Sequence, residues 1–207
     1  MIIKHLEVGL LEANCFIVGC EKEKKAMVVD PGGDAEIILR EIQNLGLEVK
    51  TIVLTHGHGD HVSAANEVKS ATGAKIAIHS DDIPLMQDSA LCSMFGLDYN
   101  PVNTPDILLS EGDILKIGEL EFTVIHTPGH SRGSVCLLGE GVLFSGDTLF
   151  NGSIGRTDLP RTGGDYNTII KSIQTKLLTL DDETIVYPGH GPQTTIGAER
   201  RGNPFLI

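Results

Sequence analysis

Tryptophan is absent from the 207 residues, and aromatic side chains make up only 4% of them. A core must therefore be aliphatic, and the 41% hydrophobic content can supply a sizeable one. Cations are scarce as well: 16 Lys and Arg against 28 Asp and Glu leave a formal net charge of −12. Binding nucleic acid requires clustered cations that displace counterions, so no nucleic-acid partner is expected, and no anionic membrane surface either. Cysteine is sparse: Cys15, Cys20, Cys92 and Cys136 lack CxxC spacing and lie in apolar surroundings. They read as small buried hydrophobes in a reducing compartment. No run approaches the roughly 18 apolar residues of a membrane span. MIIKHLEVGL, the first ten residues, lacks the apolar stretch of an export signal. The expected location is the cytoplasm. No linker, low-complexity tract or charge run divides the chain, so one domain over residues 1–207 is expected.

Against these absences one stretch is dense with chemistry. In TIVLTHGHGDH at 51–61, the apolar run Ile52-Val53-Leu54 stops abruptly and is followed by His56, His58, Asp60 and His61. The run has a buried strand's length and β-branched content, and Gly57 and Gly59 let the chain turn sharply. Val62–Val68 reads as a helix closed by Gly73. The four metal-ligand types thus sit on a strand-to-helix turn, with Asp60 and His61 at the helix start, held by rigid elements on both sides. Without a cation, three imidazoles at such spacing would repel and desolvate one another.

Elsewhere strands and helices alternate. Residues 2–8, 13–18 and 26–29 read as strands, the last ending in Asp30-Pro31-Gly32-Gly33. Asp34 is placed to cap a helix with Ile38, Ile42 and Leu45 on one face, stopped by Gly46. Residues 75–78 form a strand ending at His79, and 88–105, without clear period, reads as a long surface loop. Residues 107–109, 114–117, 120–125, 134–138 and 142–144 read as strands of one antiparallel sheet. Asp165 caps a helix with Ile169, Ile170, Ile173, Leu177 and Leu178 inward; a strand over 184–187 and a short helix after Thr194 close the chain. Two sheets packed face to face with helices outside would bury strands on both faces, which suits their apolar runs.

Three more strand ends carry ligand types beside glycine: His126-Thr127-Pro128-Gly129-His130, Ser145-Gly146-Asp147 and Pro188-Gly189-His190-Gly191. All could converge at one edge of the sheets, where ligand sites of α/β folds lie. The sum, His56, His58, Asp60, His61, His130, Asp147 and His190, exceeds one tetrahedral ion and suits two, each leaving a position for solvent. His and Asp accept zinc, iron or manganese; two divalent ions, zinc foremost, are expected. Their residual positive charge would stabilise an oxyanion on an attacked carbonyl.

The motif His56-x-His58-x-Asp60-His61 with His130, Asp147 and His190 resembles the metallo-β-lactamase superfamily over nearly the whole chain. The resemblance implies an α/β (α+β) fold, a four-layer αββα sandwich. VVDPGGD, TPGHSRGSV, FSGDTLFNGSIGRTDLPR, YPGHGP and ERRGNPF further resemble short bacterial glyoxalase II-like hydrolases, the hydroxyacylglutathione hydrolase branch. By resemblance His56, His58 and His130 hold one metal, Asp60, His61 and His190 the other, and Asp147 bridges. The implied reaction is attack of a metal-bound hydroxide on the carbonyl of a small-molecule thioester such as an S-(2-hydroxyacyl)glutathione. Asp60 is the candidate catalytic residue, as ligand, as orienter of the hydroxide, or both. Longer glyoxalase II enzymes carry a helical C-terminal domain that helps grip glutathione. Only Gly191–Ile207 follow His190 here, so that domain is expected to be missing.

GSIGRTD at 152–158 also resembles persulfide dioxygenases, which use one iron held by two His and one Asp; YPGHGP favours the hydrolase. Hydrolysis of another ester or of a lactam is a further alternative. A thiolate leaves with little acid help, its pKa being near 8.5, whereas an amide needs a proton donor, and none is evident. Among Arg132, Arg156, Arg161, Arg200 and Arg201, Arg156 is the candidate to bind an anionic substrate group, or else it braces its loop through Asp158. Asp30 is either an orienting partner for a ligand histidine or a turn residue.

Overall fold

The computed structural model describes residues 1–94, 96, 99, 101, 102 and 104–207, without the side chains of Leu91 and Met94. Six strands build the first sheet in sequential order: β1 (Ile2–Val8), β2 (Ala13–Gly19), β3 (Lys25–Val29), β4 (Glu48–Val53), β5 (Lys75–His79) and β6 (Ile107–Leu109). The first three pair antiparallel, and β3 through β6 run parallel. The second sheet begins with β7 (Ile114–Ile117), β8 (Leu120–His126), β9 (Val135–Gly139) and β10 (Val142–Gly146). A small hairpin follows, β11 (Leu149–Phe150) with β12 (Ser153–Ile154), and then β13 (Ile185–Pro188) and β14 (Thr194–Thr195). Its order is β14-β13-β10-β9-β8-β7, antiparallel except for β10 with β13.

Side-chain alternation turns these sheets into layers. In β2 and β3, Ile17, Ala26 and Val28 pack outward against helix α1 (Ala35–Leu45), whose buried Ile38 and Ile42 meet them. Val18, Met27 and Val29, on the other face, meet Phe122, Val124, Leu137 and Phe144 of the second sheet. Within β10, Phe144 points into this central layer while Leu143 points the other way. There it meets Ile169 of α6 (Tyr166–Ser172), Ile173 and Leu177 of its π-helical extension, and Ile196 of α7 (Ile196–Gly202). Strands buried on both faces need apolar residues at successive positions, and the period-2 alternation divides them between two cores. Helix, sheet, sheet, helix is therefore the layer order.

Several local expectations change. β6 pairs with β5 in the first sheet, not with β7 in the second. The helix expected over 62–68 is two pieces, α2 (Gly59–Val62) and α3 (Ala65–Thr72), interrupted where the Ala64 N–H donates to the Pro31 carbonyl. Gly73 does close it, in the left-handed conformation that glycine tolerates. Asp34 stands at the head of α1 without capping it; its carboxylate accepts from the Gly9 N–H at 2.8 Å. Asp165 does cap α6, accepting from Thr168 N. Within 88–105, where a loop is expected, α5 (Ser89–Met94) forms and Tyr99 and Val102 are buried; 95, 97, 98, 100 and 103 lie outside the described residues. A one-turn helix, α4 (Ile83–Met86), precedes α5, and the Tyr99 hydroxyl donates to the Met86 carbonyl at its end. All four cysteines are buried. No helix among the described residues is long and apolar enough to cross a membrane.

Candidate metal centre

Four strands deliver the seven residues to one end of the sandwich, and a fifth brings Asp30 beside them. β4 runs into Thr55–His61, β8 into His130, β10 into Asp147 and β13 into His190, while β3 delivers Asp30 beside them. Three groups of potential donor atoms result, each with its atoms within 4.8 Å of one another: His56, His58 and His130 form one, Asp60, His61 and His190 a second, and Asp30 with His56 and His61 a third that joins them. His58 Nδ1 faces His130 Nε2 at 2.8 Å, and His61 Nε2 faces His190 Nε2 at 3.2 Å. Asp147 lies between them: its oxygens are 3.4 Å from His61 Nε2, 3.6 Å from His130 Nε2 and 3.8 Å from His190 Nε2. Every residue of the expected set is therefore brought together, grouped as the resemblance implies.

The far side of three rings, those of His56, His61 and His130, is already engaged, which decides which of their nitrogens faces inward. His130 Nδ1 donates to the Arg156 carbonyl at 2.7 Å, and His61 Nδ1 lies 3.1 Å from Asp30 Oδ2. Asp30 also accepts from Thr55 N and Thr55 Oγ1, and Thr55 Oγ1 in turn is 3.1 Å from His56 Nδ1. One buried carboxylate thus orients two rings, directly and through a hydroxyl, an arrangement typical around metal-bound histidine. Asp30 holds a left-handed backbone, φ 51°, rare for a residue with a Cβ. Its side-chain bonds hold that conformation in place.

Electrostatics and unsatisfied atoms point to missing positive charge. His56 Nε2, His58 Nε2 and Asp147 Oδ1 are buried without a hydrogen-bond partner. Such groups cost free energy unless something satisfies them. Burial, reinforced by the neighbouring imidazoles, drives His56 and His58 well below the usual histidine pKa, so both are neutral donors with a free lone pair. Burial would also lower His61, but Asp147, Asp60 and Asp30 outweigh it and raise that pKa to about 10. Burial likewise opposes the shift at Asp60, which His61 and His190 hold well below the ordinary carboxylate range. Neutral imidazoles on one side and an excess of carboxylates on the other suit divalent cations, so the donor set fits the metals that the sequence implies.

A cavity of about 310 Å³ opens over these residues. His58, Asp60, His130, Asp147 and His190 form its polar floor, while Leu11, Cys92, Phe150 and Leu159 supply apolar walls. Arg156 reaches the rim, but its guanidinium is bound to Asp158 by two bonds of 2.9 and 3.0 Å. The bracing alternative is therefore realised, and what Arg156 contributes beneath the cavity is its carbonyl. Arg161 pairs with Asp88; Arg200 and Arg201 pair with Asp182 at the other end of the chain's fold. His126, left outside the set, donates to the Arg132 carbonyl and stacks on His79. Ser145 Oγ donates to the Leu149 carbonyl and is not placed as a nucleophile.

Two supports are missing from the sequence reading. Asn14 holds the His190 loop, its Nδ2 donating to the Pro188 and Gly191 carbonyls and its N–H to the Gly189 carbonyl. Asp82, after β5, accepts from Gly57 N and Gly133 N. Asp82 follows a strand end, the placement that singles out the other site residues, so a signal existed.

Residues 8–190 match the family model described as the metallo-beta-lactamase superfamily. Hydroxyacylglutathione hydrolase GloC of Haemophilus influenzae is 42% identical over 211 residues, covering 100% of this chain and 98% of that protein. The crystal structure of BLEG-1 B3 metallo-beta-lactamase superposes with a TM-score of 0.92 at 40% identity, covering 99% of each chain. TTHA1623, solved in a di-iron-bound form, superposes with a TM-score of 0.89 at 38% identity, over 98% of this chain and 100% of that one.

Proposed function

Because the chain belongs to the metallo-beta-lactamase superfamily, we propose that it is a binuclear metallohydrolase that cleaves small-molecule thioesters in the manner of glyoxalase II. The observation that carries this reading is the pair of donor clusters with the Asp147 carboxylate between them. A single iron held by two His and one Asp would use three of the seven gathered donors and leave the other four without a cation, which argues against the dioxygenase alternative. The name of the Haemophilus relative supports a thioester substrate, and the di-iron form of TTHA1623 supports two ions, for which zinc, iron and manganese are the candidates.

His56, His58 and His130 would hold one ion, and Asp60, His61 and His190 the other, with Asp147 shared. When bound, such ions lower the pKa of water toward about 7 and offset negative charge on an attacked carbonyl oxygen. The chain's own contribution is to fix those donors and to shape the approach. Asp30 and Thr55 keep the Nε2 atoms of His56 and His61 turned inward. Asp60 faces the cavity beside His190 at 3.2 Å, where it can orient the attacking oxygen as well as bind. Leu11, Phe150 and Leu159 exclude water from the acyl group on one side. Among the described residues lining the cavity, the titratable groups are the donor set, Cys92 and the paired Arg156. None is a free general acid, and a thiolate of pKa about 8.5 does not need one. That supports a thioester over a lactam.

The test is thiol release from S-D-lactoylglutathione by metal-replete protein, with oxygen consumption on glutathione persulfide measured in parallel. Thiol release that disappears in His58→Ala, with no oxygen uptake, is expected. Oxygen uptake without thioester cleavage would replace the hydrolase reading, and cleavage of a lactam alone would move the substrate class.

A further inference from the structure

Asp82 is a fully buried carboxylate, 1% exposed, that touches no donor atom of either cluster yet grips the chain beside three of them. It stands in the turn that follows β5, and three donors from two other loops converge on it. Gly57 N, between His56 and His58, donates to Oδ2 at 2.9 Å. Ser131 Oγ, next to His130, donates to the same oxygen at 2.6 Å, and Gly133 N donates to Oδ1 at 2.6 Å. The packing around it leaves little slack. A Cβ at Gly57 would meet the Asp82 carbonyl oxygen at 2.7 Å, and a Cβ at Gly133 would meet the Asp82 carboxyl carbon at 2.9 Å. Gly57 belongs to the loop after β4 in the first sheet; Ser131 and Gly133 belong to the loop between β8 and β9 in the second. Across this junction His58 Nδ1 and His130 Nε2 stand 2.8 Å apart.

We infer that Asp82 is the positioning residue of the His56–His58–His130 cluster, tying the two loops from opposite sheets so that this cluster, and not the one at Asp60, His61 and His190, takes up its metal ion. The inference rests on the metal-centre reading above. Its physical basis is the count of acceptors. Three inward N–H and O–H donors need two acceptor oxygens, and a carboxylate presents both. Asp82 has no contact with the second cluster, whose supports are Asp30 behind His61, which through Thr55 also reaches His56, and Asn14 behind the His190 loop. Burial raises the Asp82 pKa, opposed by Ser131, Gly133 and Gly57. A buried carboxyl is retained here against a desolvation cost, which fits a role in holding geometry.

Asp82→Asn has the same size but offers one acceptor oxygen and sets an NH2 group against backbone donors. Partners behind metal-binding residues typically change metal affinity by about 10–100-fold. Zinc affinity is measured by competition with a chromogenic chelator, alongside circular dichroism, for the wild-type chain, His58→Ala, His190→Ala and Asp82→Asn. The expected result is an Asp82→Asn profile matching His58→Ala, one site weakened at least tenfold and the other retained, with wild-type secondary structure. Should Asp82→Asn not fold, Gly133→Ala, which displaces the carboxylate by its new methyl, must give the same selective loss. Equal weakening of both sites, a profile matching His190→Ala, or two sites of unchanged affinity would overturn the inference. A wild-type chain that takes up no zinc would instead remove the reading beneath it.

Discussion

Gly189 stands where Asp147 and His61 come closest, and a Cβ there would overlap Asp147 Oδ1 and sit 2.8 Å from His61 Cε1. Gly32 and Gly155 do the same for backbone: a Cβ on either would overlap the carbonyl oxygen of Asp60 or of Asp147. These glycines are there for proximity, because the loops bearing the donors can close on one another only without side chains between them. Gly189→Ala is accordingly predicted to keep a near-wild-type urea midpoint while kcat/KM falls about a hundredfold, the cost of a displacement of roughly 1 Å at a reacting centre. Steady-state kinetics and urea melts on one preparation check both halves. Arg156 gives the opposite case. Its guanidinium is exposed and paired with Asp158, and exposed pairs contribute little, about 0.2–1 kcal/mol. Arg156→Ala should alter KM less than about fivefold; a larger rise would mean that the guanidinium leaves Asp158 to hold substrate. At this scale the residue types were legible, since His and Asp clustered at strand ends point to metal chemistry by themselves. Asn14 was not, because its partners in the His190 loop are backbone carbonyls, which no sequence pattern marks; Asp82 carried only the weak signal of an acidic residue after a strand end, since two of its three partners are backbone N–H groups.

Elements were legible where long amphipathic or apolar patterns exist and illegible where three or four residues must choose a partner. α1, α6 and the strands β1 to β5 follow their apolar periods. β6 is only Ile107–Leu109, and such a run says nothing about which neighbour it joins. What settles it is a clamp: Asp106, just before β6, accepts from Lys69 Nζ of α3 at 2.6 Å and from Ile76 N of β5 at 2.8 Å, while its own N–H donates to the Ile76 carbonyl. That clamp binds β6 to the first sheet. The Lys69 hydrogen bond, and then the Ile76 N–H, hold the Asp106 carboxyl below its ordinary value of 3.8. A carboxyl depressed in the folded state stabilises the fold fully above its unfolded pKa, and that contribution is lost as the pH falls through the folded value. Urea midpoints of the wild-type chain should exceed those of Asp106→Asn at pH 7, and the gap should close as the pH falls below 3.8. A difference that persists unchanged at low pH would show that the side chain acts through shape and not through charge.

Over the whole molecule, three apolar layers hold two sheets so that the ends of β3, β4, β8, β10 and β13 meet at one rim. The sandwich was legible because strands apolar at successive positions require cover on both faces; the pairing of specific rims was not, since it depends on how the sheets stack. Donors from both sheets form each cluster, so ions bound there would also cross-link the sheets. Removing metal should lower Tm reversibly: an ion at a hundredfold excess over its Kd contributes about 2.7 kcal/mol to folded-state stability. Chelation followed by zinc readdition, read by thermal melts, checks this, and a Tm indifferent to chelator would mean that the clusters hold no ion. The most direct measurement of the central claim is S-D-lactoylglutathione hydrolysis by metal-free protein titrated with zinc or iron(II). Activity that rises until two equivalents are bound, and stays absent in His58→Ala and His190→Ala alike, is the predicted result. Activity complete at one equivalent and retained in His58→Ala would contradict it.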